Sequence, residues 1–316
     1  MRTAGRALLE MGFEPDAARF LAVVLLAGGV FTEGIVARWV GDDWGTERTH
    51  HFFDGLRRLW KEKFPRDTGI VWRRVAGGAV YHCMGKAMYR GIGEKDSKFR
   101  RLDPSDAAEV FRRVVRVAAV LRWCRWPWVL SGRAQLAAME AVGLSRSVCP
   151  SRAYGKGAGA KRQVYFYDRP ALVIQSDRCV LLHSFVEESP GGALVSLRGW
   201  WGHYSGLVRA LGEQGVQVSL RIARSGEGQG GLAVGEQAGL WEADGSTVAA
   251  IRSIWVAREE LRRLDGAHPS VVRAYGGEAG VAARRAVLEA RVDARRGEVG
   301  GGVVDAEVWD VEGVRA

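Results

Sequence analysis

The part of this sequence whose residue types could do chemistry is a run of polar and cationic side chains between positions 46 and 61. Arg, His and Thr side chains hydrogen-bond to base edges, and further Arg and Lys side chains pair with phosphate oxygens. The candidate contacts are Thr46, Arg48, Thr49, His50, His51, Arg57, Arg58 and Lys61. This set predicts contact with double-stranded DNA.

The same segment matches a helix that starts near Thr46. Its apolar positions recur at roughly helical spacing and are Phe52, Phe53, Leu56, Leu59 and Trp60. We expect this face to pack on upstream apolar residues, namely Leu21, Val24, Leu25, Ile35 and Trp39. The exposed start of the helix would then meet base edges in a major groove.

Two helices precede this one and a hairpin follows it. An apolar helix over residues 17–27 stops at a Gly-Gly pair, and a second helix starts at Thr32, whose hydroxyl can cap its first turn. Strand-like runs at 70–75 and 79–84 are joined by Gly77-Gly78, which suits a tight turn. The order predicts a winged helix-turn-helix. Its hairpin would present two cations to the DNA backbone or minor groove, Arg73 and Arg74.

The positive charge is concentrated in one part of the chain. Residues 46–101 hold 14 Lys/Arg against 6 Asp/Glu, and residues 102–165 hold 11 against 4. Residues 1–45 and 166–316 are both slightly acidic, although the whole chain carries +10. Such a concentrated charge attracts phosphate through counterion release, so the expected partner is DNA.

Length and composition indicate an α+β protein of 316 residues with two domains. We expect a winged helix-turn-helix domain at 1–101, a connector helix and Trp-rich hinge at 102–130, a mixed α/β domain at 131–265 and a partly ordered tail at 266–316.

The four cysteines lie far apart without a C-x-x-C pair, which favours a reducing, cytoplasmic compartment. The apolar run at 20–30 is too short to span a bilayer, so no membrane is expected.

The connector admits two interpretations. Pro104 would open a helix reaching about Leu121, with Asp103 as its cap. The apolar stripe of this helix either packs on the second domain or forms a homodimer, because DNA-binding domains of this kind often bind two half-sites. The three tryptophans that follow, interleaved with Arg122 and Arg125, either form an interdomain core or stack on bases.

A basic, glycine-rich loop covers residues 151–162, with the sequence SRAYGKGAGAKR. It lacks the final Gly and Ser/Thr of a nucleotide-binding P-loop, because Ala160 and Arg162 occupy those positions. A loop that grips phosphate or lies between the domains is the better interpretation. Its candidate DNA contacts are Lys156, Lys161 and Arg162.

The second domain begins with period-two apolar runs at 164–167, 171–175, 179–186 and 193–197, which predict a mainly antiparallel sheet. A helix at 200–212 and a strand at 216–223 follow, which makes the domain α/β or α+β. Its candidate metal-binding acids are Asp168, Asp177, Glu187 and Glu188, as a nuclease would need. Lys161 is the last lysine of the chain, so the usual (Asp/Glu)-x-Lys pair is missing. We therefore expect no catalytic residues, metal or cofactor.

The sequence resembles the replication-relaxation family of bacterial plasmid and mobile-element proteins. The resemblance rests on ARFLAVVLLAGGVFTEGIVARWV, which ends at Val40, on RTHHFFDGLRRL from Arg48 and on VYHCMGKAMYRGIG from Val80, with a looser similarity over 171–223. It implies DNA binding in the replication, transfer or maintenance of a mobile element. The residues it exposes most to DNA are Arg48, Thr49, His50 and Arg57. A transcriptional regulator with a sensor or dimerisation domain and a metal-dependent nuclease remain alternatives.

Overall fold

The computed structural model describes residues 1–41, 45–75, 78–95, 97–154, 162–168, 170–175, 177–185, 192–225, 269–296 and 303–311, with single positions at 253, 256, 257, 260, 261 and 264. The described chain is a mixture of helices and small sheets. The α+β class predicted from the sequence is confirmed at this level.

Four helices and a short strand open the chain. They are α1 (Arg2–Glu10), α2 (Pro15–Ala27), β1 (Val30–Phe31), α3 (Glu33–Val40) and α4 (Glu47–Lys63). The Thr32 hydroxyl caps α3 as predicted, since it accepts from the Ile35 amide at 3.4 Å. The Thr46 hydroxyl, predicted as a DNA contact, caps α4 by accepting from the Thr49 amide at 3.4 Å.

A hairpin closes this part of the fold. Strands β2 (Ile70–Val75) and β3 (Gly78–Cys83) pair antiparallel, and β1 adds to the other side of β3, so the sheet order is β1-β3-β2. The predicted strand positions are confirmed to within one residue. Helix α5 (Lys86–Gly91) and a single 3-10 turn (Lys98–Arg100) follow.

Helix α6 (Ala107–Arg122) is enclosed over most of its length, with 11 of its 16 residues buried. It contacts α2 and β1 on one side and the strands of a second sheet on the other. Its buried apolar residues are Val110, Phe111, Val114, Val115, Val117, Ala118, Ala119, Val120 and Leu121. This packing agrees with the connector interpretation, and elements of the same chain cover the stripe that a dimerisation helix would have to expose.

The start of α6 differs from the expectation. Asp106 is its cap and accepts from the Glu109 amide at 3.0 Å, so the helix begins three residues after Pro104. Asp103 instead accepts from the Ser105 amide and hydroxyl in the preceding turn. Two Asp residues at this spacing offer competing caps, and the sequence alone does not separate them.

Helix α2 approaches α6 at the Gly-Gly pair that ends α2. A Cβ on Gly28 would lie 2.8 Å from the Arg113 carbonyl oxygen and 2.9 Å from a Val117 methyl carbon. A Cβ on Gly29, whose φ is 74°, would lie 2.6 Å from the Phe99 carbonyl oxygen. Glycine is therefore required at both positions because neighbouring backbone lies too close for a Cβ atom, and at Gly29 also because of the positive φ.

The tryptophans after α6 join the core as the core interpretation expects. Trp128 is buried and its indole N–H donates to the Trp123 carbonyl at 2.9 Å. Trp126 stacks on Trp128 with ring centroids 5.6 Å apart, while Arg122 and Arg125 are exposed.

The remaining elements build a second core around a four-stranded sheet. They are α7 (Gly132–Ala141), the paired strands β4 (Ser151–Tyr154) and β5 (Arg162–Tyr165), β6 (Ala171–Gln175), β7 (Arg178–Phe185), α8 (Gly192–Glu213), β8 (Gln217–Ser225), α9 (Pro269–Ala274), α10 (Glu278–Arg296) and β9 (Val303–Val311). The sheet order is β6-β7-β8-β9, with β6 antiparallel to β7 and the other pairs parallel.

Three expectations for this half differ from the structure. Residues 193–197 are helical, because a short apolar run fits a buried helix as well as a strand. The sheet is mixed rather than mainly antiparallel. Segment 266–316, expected to be an appendage, buries Leu288 and Val292 in the second core and adds β9 to the sheet. Two further runs, 232–241 and 248–256, also fit strands in the sequence. The first lies outside the described residues, and positions 253 and 256 of the second are helical.

Among the described residues, no helix is both long enough and apolar enough to cross a membrane.

Arg116, on α6, links the end of α2 to the four-stranded sheet. Its Nη1 donates to the Ala27 carbonyl at the end of α2, and its Nε donates to the Ser184 hydroxyl on β7, both at 3.4 Å. Burial lowers the pKa of this guanidinium, while Glu109 and Asp168 favour its charged form. A charged group is therefore retained in the packed joint by bonds to both sides.

We expect Arg116→Ala to lower the free energy of unfolding by about 3 kcal/mol, because it removes a buried charge from partners that stay behind. Arg133→Ala, on the exposed face of α7, is the matched control and should change stability by less than about 0.5 kcal/mol. Urea unfolding followed by circular dichroism measures both. Equal stabilities for the two variants would contradict the role given to Arg116.

Candidate nucleic-acid interface

Helix α4 separates an apolar face from a cationic one. Phe53, Leu56 and Trp60 are buried and Phe52 and Leu59 are half-buried, so the predicted apolar face is confirmed. Its packing partners are aromatic. The Phe53 ring lies 6.1 Å from that of Phe31 on β1 and 4.5 Å from that of Tyr81 on β3. These contacts fix the orientation of α4 about its own axis.

The opposite face of α4 exposes six of the predicted contacts, which are Arg48, His50, His51, Arg57, Arg58 and Lys61. His51 lies 3.2 Å from the Glu47 carboxylate one turn earlier, with both side chains exposed. Within the described chain, no carboxylate lies within ion-pair distance of Arg48, Arg58 or Lys61. These cations are therefore available to an external anion.

The two threonines at the start of α4 serve the helix itself. Thr49 is fully buried, and its hydroxyl donates to the Thr46 carbonyl at 2.9 Å. The expectation that Thr49 is among the residues most exposed to DNA is corrected by this burial. Thr46 is half-buried and uses its hydroxyl as the cap. Capping and base contact use the same residue types, which is why the sequence did not separate them.

The hairpin places one of its two predicted cations beside this face. Arg74 is exposed and shares a sheet face with Trp72 and, across the strand pair, with Tyr81. Tyr81 contacts Phe53 of α4, and the Arg57 guanidinium lies over the Phe53 ring at 5.7 Å. Arg57, Trp72 and Arg74 therefore lie on the α4 side of the hairpin.

Tyr81 holds this junction with a hydrogen bond. Its hydroxyl donates to the Glu33 carboxylate in the first turn of α3 at 2.9 Å. Burial and this bond raise the pKa of Tyr81 to about 12. The phenol thus remains a neutral donor that ties α3 to the hairpin.

Arg73 points to the other face of the hairpin. It is half-buried, and its Nη2 donates to the Met84 sulfur at 3.4 Å. The prediction that treated Arg73 and Arg74 alike is therefore corrected, because neighbouring residues of a strand face opposite sides. The alternation of side chains along the predicted strand β2 was the sequence feature that could have separated Arg73 from Arg74.

The basic loop at 151–162 falls only partly within the described residues. Lys156 and Lys161 lie outside the described residues, and Arg162 begins β5, where it pairs with Tyr154 of β4. Sequence reasoning missed two exposed residues of β4, Arg152 and Tyr154. The Arg152 guanidinium lies 5.8 Å from the centre of the Tyr154 ring, an arrangement suited to stacking.

The candidate nuclease acids are not brought together. Asp168 precedes β6 and accepts a hydrogen bond from the Tyr204 hydroxyl at 2.5 Å, whereas Asp177 follows β6. The length of a five-residue strand, roughly 17 Å, lies between them. Glu187 and Glu188 fall outside the described residues. Across the described ranges, no group of three or more His, Cys, Asp or Glu side chains is arranged to hold a metal.

The back of the hairpin is anchored through a buried histidine. His82 is 1% exposed, and its Nε2 donates to the Phe99 carbonyl at 2.9 Å. Burial lowers the pKa of His82 to about 4, a shift that the bond to Phe99 partly opposes. The native state therefore keeps this imidazole neutral well below the pH at which the unfolded chain binds a proton.

We expect His82 to contribute about 3 kcal/mol to the fall in the free energy of unfolding as the pH drops from 6.5 to 4, because the unfolded state protonates this histidine before the native state does. The stabilisation is complete above pH 6.5. His82→Gln, which keeps an amide donor, should reduce the slope but not remove it, because burial also lowers the pKa of His183 to about 3. His51→Gln at an exposed site should leave the slope unchanged. Urea unfolding at a series of pH values measures the slopes. A slope in His82→Gln as steep as in the wild type would refute the assignment.

Comparison of the chain with protein-family models, with curated proteins and with solved structures found no match.

Proposed function

We propose that this protein binds double-stranded DNA through a winged helix-turn-helix made of α2, α3, α4 and the β2–β3 hairpin. The observation that carries the proposal is the cationic face of α4, with Arg74 of the hairpin on the same side. The order helix, strand, helix, helix, strand, strand with the sheet order β1-β3-β2 also supports it, because this order suits a helix presented beside a hairpin.

Each exposed residue has a distinct role in this proposal. Arg48 and His50 lie in the first turn of α4 and contact base edges in the major groove. Arg57, Arg58 and Lys61 lie further along the same helix and pair with phosphates. Arg74 reaches the backbone beside the groove. Thr49 takes no part, since it is buried.

The charge distribution supports a long contact with the phosphate backbone. Residues 46–101 carry 14 Lys/Arg against 6 Asp/Glu, and the excess continues through residue 165, including Arg152 and Arg162. Affinity should accordingly fall steeply with salt. We further propose, from the resemblance of the sequence, that binding serves the replication, transfer or maintenance of a plasmid or other mobile element.

A homodimer on two half-sites would need a surface other than the apolar stripe of α6, because α2, β1 and the four-stranded sheet cover that stripe.

Selection of bound sequences from random duplexes, with and without Mg²⁺, tests binding, symmetry and cleavage together. Recovery of one enriched motif in intact duplexes supports the proposal. Recovery of no motif and no salt-sensitive binding would overturn it.

We expect the double variant Arg48→Ala, His50→Ala to bind the selected duplex more weakly by roughly 30-fold or more, because each lost base contact costs about 1–3 kcal/mol. The unfolding transition should be unchanged, since both side chains are exposed. The matched control is Arg209→Ala, His203→Ala on the exposed face of α8, which removes the same residue types. Fluorescence anisotropy measures the affinities, and equal loss in both variants would reject α4 as the recognition helix.

A further inference from the structure

Trp72 on β2 is the most exposed large hydrophobic side chain among the described residues. Its exposed fraction is 54%, against 52% for Val287 and 47% for Leu9 and Tyr154. Single exposed hydrophobic residues are normal on a protein surface. The position of Trp72 is what sets it apart.

Trp72 lies among the cations of the proposed DNA-binding surface. It shares a face of the hairpin with Arg74, two residues further along β2. It is opposite Tyr81, which contacts Phe53 on α4, and Arg57 stacks on that same Phe53 ring. Arg74 is thus the neighbour of the indole on this face of the hairpin, and Arg57 lies on α4 beyond Tyr81 and Phe53.

The fold leaves about half of the Trp72 side chain exposed. Tyr81, its cross-strand neighbour, is already engaged with Phe31 at 5.4 Å, with Phe53 at 4.5 Å and with the Glu33 carboxylate. Within the described chain, Trp72 itself makes no ring contact or side-chain hydrogen bond. A large apolar ring is therefore presented to whatever approaches the cations around it.

We propose that Trp72 makes an apolar contact with the sugar and base edges of duplex DNA while Arg74 pairs with a neighbouring phosphate. This inference rests on the proposed function. An indole ring offers a flat apolar surface to deoxyribose and to the thymine methyl group, and its N–H can reach a base acceptor. The hairpin then combines one contact that releases counterions with one that does not.

The two contacts are separated by their dependence on salt. A phosphate contact contributes about 0.9 to the slope of log affinity against log salt, whereas an apolar contact contributes nothing to it. Trp72→Ala should weaken binding about tenfold at every salt concentration between 50 and 200 mM and keep the wild-type slope. Arg74→Ala should reduce the slope by about 0.9. Fluorescence anisotropy with the selected duplex over this salt range measures both.

Further variants guard against indirect effects. Trp72→Phe keeps an aromatic ring and should retain most of the affinity, while Leu9→Ala removes an exposed apolar side chain from α1 and should retain all of it. Circular dichroism and sedimentation of each variant check that neither the fold nor the oligomeric state changes. A change in oligomeric state on Trp72→Ala would assign the ring to a contact between copies and overturn the inference.

The remaining outcomes distinguish failure of the Trp72 inference from failure of the proposed DNA-binding function. Binding by Trp72→Ala that equals that of the wild type would overturn the role of Trp72 alone. A reduced salt slope in Trp72→Ala would also overturn it, because the ring would then act through the neighbouring arginines. Failure of the wild-type protein to bind any duplex would overturn the proposed function itself.

Discussion

The enclosure of α6 between two layers is the constraint on which the rest of the structure depends. One side of this helix completes the core around α2 and β1, and the other side covers the strands of the second sheet. Burial of its valines stabilises both layers at once, since apolar area is removed from water on either side. Arg116 adds direction to this packing, because its guanidinium bonds to Ala27 on one side and to Ser184 on the other. The position of α2 relative to the sheet is therefore set by a single helix.

The candidate interface inherits its geometry from this arrangement. Helix α2 supports α3 and α4 through a shared aromatic core, in which Phe20 contacts Phe31 and Phe52 edge to face at 5.3 and 5.6 Å. Phe53 and Tyr81 then join α4 to the hairpin. Arg57 lies over the Phe53 ring, and the other exposed cations of α4 project from the same packed helix, so the apolar core holds the backbone that carries them. A surface built this way loses little conformational freedom when it binds, which favours affinity.

Local patterns predicted the N-terminal elements well because capping residues, glycines and helical spacing lie close together in the chain. Thr32, Thr46 and the β2–β3 runs are examples. Which of the candidate DNA contacts are exposed was harder to predict. Thr49 and Arg73 are residue types that contact DNA, but helix and strand periodicity turns both side chains towards the interior. The second half was predicted least well. Whether 193–197 is helix or strand, and whether 303–311 joins the sheet, depends on partners distant in sequence.

The close approach of Gly28 to α6 has an evolutionary consequence. The Arg113 carbonyl oxygen and a Val117 methyl group set the separation there, so any side chain at position 28 would push α2 away from α6. Substitutions on the outer face of α4 leave this separation untouched. Under the proposed function, related chains can change the outer side chains of α4, and with them the DNA sequence they recognise, whereas Gly28 and Gly29 have to be retained.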